Sequence, residues 1–273
     1  MSNVFLTIKT RFQPFLRNKH MQNNRFILAG LLAIALTACG GGGGDDDGIK
    51  VNQPTNGGDN ATQKVNNVSY MKFSEGQRIK GDDSGEFPQL NIMNLDGRNL
   101  EIIPANVSSK STIQTNDSNI SRLVGANLSY ARYGVISYKK DKRDYIFWQG
   151  ILTQENDMPN VNNVQYNGYA VGYRRADGAT DKGTSSFTAH FKDKKMTGTI
   201  KLEKFGTFQF DDIKIDKNTF EGTQEVKVPN QSLPTYHNIS GGFYGAKAEE
   251  VAGGFFNSGK EIIGTFGAKK QSK

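Results

Sequence analysis

Apolar and polar residues alternate one by one through most of the second half of the chain. Val164, Tyr166, Gly168, Ala170 and Gly172 share one parity, as do Phe187, Ala189 and Phe191, Phe208 and Phe210, Ile213 and Ile215, and Ile262, Gly264 and Phe266. A period of two with one apolar face is the pattern of antiparallel strands that cover a core on one side and meet water on the other. Turn residues recur between the runs, and the spacing predicts an up-and-down barrel of about eight strands over residues 161–273. Fifteen glycines lie between Val164 and Lys273. Several fall on inward positions, where they permit the bends that closure of a small barrel needs. Lysine, aspartate and threonine occupy the other parity, so the barrel is expected to be a soluble one filled by its own side chains.

Residues 68–160 are strand-like without the same regularity. "LNIMNLDGRNLEII" places Asp96-Gly97 between two apolar runs, a strong local hairpin signal. "NLSYARYGVISYKKDKRDYIFWQGIL" predicts two strands around a charged turn at Lys139 to Arg143, and "ENDMPN" at 155–160 predicts a boundary. No amphipathic run of helical length stands out. The expected fold class is all-β, a small amino-terminal β-rich domain followed by the barrel.

The first 67 residues break this pattern. An uncharged apolar run of thirteen residues, Phe26 to Ala38, follows a segment carrying Lys9, Arg11, Arg17, Lys19 and Arg25 and no acid. That is the form of an export signal, and it falls short of the roughly 20 residues of a spanning helix. Met21 opens a compact version of the same signal and is a second candidate start. Cys39, the only cysteine, ends "LTAC" directly ahead of "GGGGGDDDG". The tetrapeptide resembles a bacterial lipobox, which implies a signal peptide over 1–38, lipid on Cys39 and acyl chains, palmitate among them, on the new amino terminus. Each buried methylene contributes about 0.8 kcal/mol to anchoring, so several chains together hold tightly. Gly40, rather than aspartate, follows the cysteine, which points to the outer membrane of a Gram-negative cell. Residues 39–67 are then a tether of Gly, Asp, Asn, Gln and Thr, too polar to bury a core, with a reach of roughly 30 Å.

Removing the leader takes five of the 34 basic residues and leaves 29 against 27 acids, about +2 for the mature chain. Those lysines alternate with acids in "KDKRD" and "KDKK", so no basic face for nucleic acid is expected. With Cys39 taken by lipid, no disulfide forms. The chain has no nucleophile elbow, phosphate loop, dinucleotide fingerprint or metal-ligand spacing, so neither catalytic nor metal residues are assigned and an enzyme is not expected.

The closing stretch "GGFYGAKAEEVAGGFFNSGKEIIGTFGAKKQ" resembles the carboxy-terminal signature of the transferrin-binding protein B-like β-barrel surface lipoproteins. These include factor H binding protein-like and other Slam-dependent members. The matching residues are Phe243, Tyr244 and Gly245, then Ala248 to Gly253, then Phe266 to Lys270. The resemblance implies a handle-like amino-terminal domain, display at the cell surface by a Slam-type translocon, and binding of a host macromolecule in nutrient capture or complement evasion. It also casts Glu249 and Glu250 as part of a structural turn packed on the barrel.

Two further readings stand beside it. One is capture of haem or a haemoprotein on behalf of a TonB-dependent receptor. His190, expected to face solvent, and His237, expected in a loop after Pro234, are the candidate haem ligands, with Tyr130, Tyr133 and Tyr138 as tyrosine alternatives. The other is a periplasm-facing structural lipoprotein. For a host partner the candidate contacts are Tyr130, Arg132, Tyr133 and Trp148, residue types that dominate interface energetics. Alternation along "SYARYGVISY" sends some of them into the core instead. A Cys39→Ala variant is expected to leave the envelope lipid fraction in which the parent sediments; cofractionation with the parent would remove the anchor.

Overall fold

The computed structural model describes residues 65–74, 77–79, 89–95, 97–226, 235–258 and 262–272. Cys39, the export signal and tether residues 40–64 lie outside these residues; residues 65–67, expected to end the tether, are part of the fold, with Val65 buried, Asn66 N–H donating to Gly150 O at 3.1 Å and Asn67 opening the first strand. Among the described residues there are sixteen strands and one short 3-10 turn, Glu155–Asp157. They fall within one compact unit.

The amino-terminal part holds β1 (Asn67–Ser74), β2 (Gln77–Ile79), β3 (Ile92–Leu95), β4 (Arg98–Glu101), β5 (Thr112–Asn116), β6 (Ile120–Gly125), β7 (Ala131–Tyr138) and β8 (Arg143–Gly150). Six of them form an antiparallel sheet in the order β2-β1-β8-β7-β6-β5. The hairpin expected at Asp96-Gly97 forms as a separate two-stranded sheet, β3 paired with β4. Gly97 there takes φ +78°, and its N–H donates to Asn94 Oδ1 at 3.1 Å. The charged turn at Lys139 to Arg143 joins β7 to β8 as the pattern predicts.

The second part holds β9 (Val164–Arg174), β10 (Ala179–His190), β11 (Lys195–Leu202), β12 (Gly206–Asp216), β13 (Thr219–Val226), β14 (Thr235–Tyr244), β15 (Glu250–Asn257) and β16 (Ile262–Lys270). Each strand pairs with the next, and β16 closes onto β9. The eight-stranded closed barrel expected from the alternation is what forms, and closure removes every sheet edge. Its interior is packed with Tyr166, Phe187, Phe208, Phe210, Phe220, Phe243, Phe255 and Phe266, with Met196, Ile200 and Ile213 between them. Phe266 lies 4.8 Å, ring centre to ring centre, from Phe187 and 6.3 Å from Phe220. Gly198 takes an inward position whose missing Cβ is filled by the Phe187 ring.

One expectation needs correcting. Only β10 to β13 keep a single apolar face; β15 and β16 are buried on both faces for most of their length. The outer wall of β9, β15 and β16 is covered by the six-stranded sheet, with Val171, Tyr173, Tyr244, Ala252 and Ile263 meeting Met71, Phe73, Leu123, Tyr133, Val135, Ile146 and Trp148 in one cluster. The sheet's other face carries Ile113, Val124, Ile136, Tyr145 and Phe147 under Met93, Leu100 and Ile102 from the β3–β4 region. Truncating Phe266 to alanine, where its ring is fully buried, is expected to destabilise the chain by about 3–5 kcal/mol in urea unfolding.

Candidate functional site

The residues that the sequence puts forward for partner contact are almost all at the joint between sheet and barrel. Ala131–Tyr138 is a strand because its β-branched and aromatic residues alternate, and that alternation sends Tyr133 to the barrel side. Tyr133 is 0 % exposed and Trp148 3 %. The Tyr133 ring lies over Gly267 of β16, where a Cβ would stand 2.3 Å from it; the Trp148 indole lies over Gly254 of β15, where a Cβ would stand 2.4 Å away. Aromatic knobs on the sheet therefore enter glycine-lined hollows on the barrel wall. Burial pushes the Tyr133 phenol well above its usual range, so it stays a neutral donor, and it gives its hydrogen to Asn127 Oδ1 at 2.8 Å. Asn127 Nδ2 in turn donates to Gly267 O at 3.0 Å.

The loop before β7 is held from both sides by charge. Glu250, the first residue of β15, is 2 % exposed. Its Oε1 accepts from Ser129 N–H at 2.5 Å and its Oε2 from Tyr130 N–H at 2.8 Å. Arg132, 6 % exposed, turns back on the same loop, and its Nη1 donates to Leu128 O at 2.6 Å and Ala131 O at 2.8 Å. Burial holds the Glu250 carboxyl above its ordinary 4.5, against the opposing pull of those two N–H groups, Lys269 and Arg132. Burial likewise lowers Arg132, and Glu250 draws it back. The acidic turn expected from the resemblance thus splits in function. Glu249 caps its own turn by accepting from Lys247 N–H at 2.8 Å, while Glu250 fastens the sheet to the barrel.

Further bonds cross the joint. Tyr244 OH donates to Asn67 Oδ1 at 2.8 Å, and Tyr173 OH to Asp144 Oδ2 at 2.6 Å. Thr153 in the connecting segment donates its N–H to Phe243 O and its hydroxyl to Gly245 O, at 2.9 and 2.7 Å.

Three expectations on candidate residues change. Tyr133, Trp148 and Arg132 are interior groups with no surface to offer a partner, and Tyr130 is half-buried with its ring against Gly245. His237 lies in β14 rather than a loop; it is 9 % exposed and its ring sits 4.6 Å from that of Phe208 inside the barrel. His190, partly exposed, ends β10, whereas His237 is near the start of β14, a strand running the same way. The two histidines therefore stand at opposite ends of the barrel and do not converge on one ligand. Tyr138 packs edge-on to Tyr145, ring centres 5.9 Å apart, on the sheet face away from the barrel. Among the described residues no group of three or more His, Cys, Asp or Glu is placed to hold a metal ion. The large hydrophobic side chains exposed among them are Val161 and Tyr236.

The fold is thus a closed barrel filled by side chains with a β-sheet packed on its outer wall. Residues 158–270 match the family model for the C-lobe and N-lobe beta barrels of Tf-binding protein B. Transferrin-binding protein B of Neisseria meningitidis serogroup B (strain ATCC BAA-335 / MC58) is 30% identical over 204 residues, covering 54% of this chain and 28% of that protein. An uncharacterized protein of Haemophilus influenzae is 27% identical over 292 residues, covering 90% of this chain and 98% of its own length. The crystal structure of isotype 1 transferrin binding protein B from serogroup B Neisseria meningitidis matches with a TM-score of 0.57 at 24% identity, over 75% of this chain and 43% of that one. The chain thus spans less than a third of the first of these relatives, and over residues 158–270 it resembles the β-barrels of transferrin-binding protein B.

The Glu250 carboxyl carries a pH signature with a defined sign. A group whose folded value is raised contributes stability that is fully present below its unfolded value, near 4.5, and is lost as pH rises through the folded value. Glu250→Gln keeps the shape but turns a donor toward one N–H, and is expected to cost about 1–3 kcal/mol. The parent is expected to lose stability relative to the variant in urea unfolding as pH rises above about 4.5; a relative gain would mean that the N–H groups outweigh burial.

Proposed function

We propose that this chain is a lipid-anchored outer-membrane protein, displayed at the cell surface by a Slam-type translocon, that binds a host protein. The observation that carries the reading is the match of residues 158–270 to the barrels of transferrin-binding protein B, joined to a sheet domain in one compact unit. The signal, lipobox and tether read from the sequence supply the anchor. Relatives named for transferrin make a serum protein the first class of partner to test, and nutrient capture with handover to a TonB-dependent receptor the first context, ahead of complement evasion.

The joint narrows where such a partner binds. Its aromatic residues are spent internally, so contact falls to the polar outer wall of β10 to β13 and to the barrel ends, near Tyr236 at one and Val161 close to the other. Loops on a rigid scaffold are the usual carriers of recognition. Residues 55–273, immobilised and exposed to whole serum, are expected to retain one serum protein that a Phe266→Ala column of lower fold stability retains less well. Retention of no serum protein by the folded parent would overturn the reading.

A further inference from the structure

The barrel has no edge, but the six-stranded sheet has two, and they differ. β2 is three residues long, whereas β5 offers five residues, Thr112-Ile113-Gln114-Thr115-Asn116, paired only with β6 among the described strands. Its hydrogen-bonding phase follows from the bonds that flank it. Ser111 O accepts from Ala126 N–H at 2.8 Å and Asp117 N–H donates to Ile120 O at 3.0 Å. Those two bonds place Ser111, Ile113, Thr115 and Asp117 in the narrow pairs with β6. The main-chain groups of Thr112, Gln114 and Asn116 therefore face outward, and the Gln114 and Asn116 side chains are exposed.

Open edges in soluble proteins are normally blunted by lysine, proline, a bulge or an inward charge. β5 has none of these: its five residues are uncharged and its register with β6 is unbroken. It is also complementary to itself. In an antiparallel pair centred on Gln114, Thr112 meets Asn116 of the second copy, Gln114 meets Gln114, and Ile113 lies beside Thr115. The outward groups then fall in narrow pairs and form about six main-chain hydrogen bonds. Facing amides suit a Gln–Gln pair, and within the paired segment no like charges oppose each other. An acidic or basic peptide would gain no such match from a neutral edge.

We propose that β5 is a docking edge for a second copy of this chain, joining two six-stranded sheets across a two-fold axis. So short a pairing buries well under the roughly 1,000 Å² of a stable interface, which makes the contact weak in dilute solution. Anchoring many copies in one membrane raises their effective concentration and favours it.

The pairing assigns each position a specific neighbour, which makes it testable by disulfide trapping in full-length protein kept in the membrane through Cys39, whose sulfur the proposed lipid thioether takes out of thiol chemistry. Gln114→Cys, which meets itself, is expected to cross-link about tenfold faster under mild oxidation than Thr184→Cys, an equally exposed position on β10. A Thr112→Cys sample mixed with Asn116→Cys should form the mixed dimer in preference to either homodimer. Adding Gln114→Pro to the Thr112 and Asn116 variants removes a main-chain donor and should abolish the mixed dimer. Equal rates for Gln114→Cys and Thr184→Cys would overturn the proposal. So would pull-down of a serum protein by Gln114→Cys with no cross-link at any protein concentration, a result that leaves the host-binding reading standing.

Discussion

The rest of the structure depends on how the six-stranded sheet seats on the barrel wall. A barrel that only had to be soluble would carry polar residues all round. Here β15 and β16 instead present Ala252, Gly254, Ile263 and Gly267 outward, and the sheet answers with Trp148 and Tyr133. The glycines are required by contact distance, since a side chain at either would occupy the volume of the ring above it. Burial of these rings supplies non-directional attraction, and Asn127, Tyr133 and Glu250 supply direction by fixing the loop before β7 against particular carbonyl and N–H groups. Removing a buried partner such as Glu250 strands two main-chain donors, so the joint resists partial opening.

This arrangement changes what the aromatic cluster means. Tyr, Trp and Arg concentrated in "SYARYGVISY" and "DYIFWQG" have the composition of an intermolecular interface. They do form an interface, but within the chain. The physics is the same in both cases, large rigid side chains filling hollows at low entropic cost, and composition alone does not distinguish the two. The exposed barrel wall is instead mostly Thr, Lys, Asp and Gln, cross-linked by hydrogen bonds such as Thr199 Oγ1 to Gln209 Oε1 at 2.6 Å.

Much of the fold was legible because β-structure writes its period into the chain. The barrel strands, the Asp96-Gly97 hairpin and the Lys139–Arg143 turn all followed from alternation and turn chemistry. His237 was misplaced because Pro234 suggested a loop, whereas the strand starts one residue later and its inward parity puts the ring among phenylalanines. The double-sided burial of β15 and β16 had a signal that was available. "VAGGFF" and "IIGTFGA" are continuous rather than alternating apolar runs, the mark of a strand covered on both faces.

Sequence by itself determined the all-β class, most of the barrel strands and the closure of the barrel, because those rest on local periodicity and composition. Only the tertiary structure decided which surface each aromatic residue serves. Tyr133 and Gly267, or Glu250 and Ser129, lie more than a hundred positions apart, and no local pattern encodes a contact between elements whose mutual orientation is set by packing. The same holds for β5, whose outward main chain is a property of its place in the sheet order rather than of its five residues.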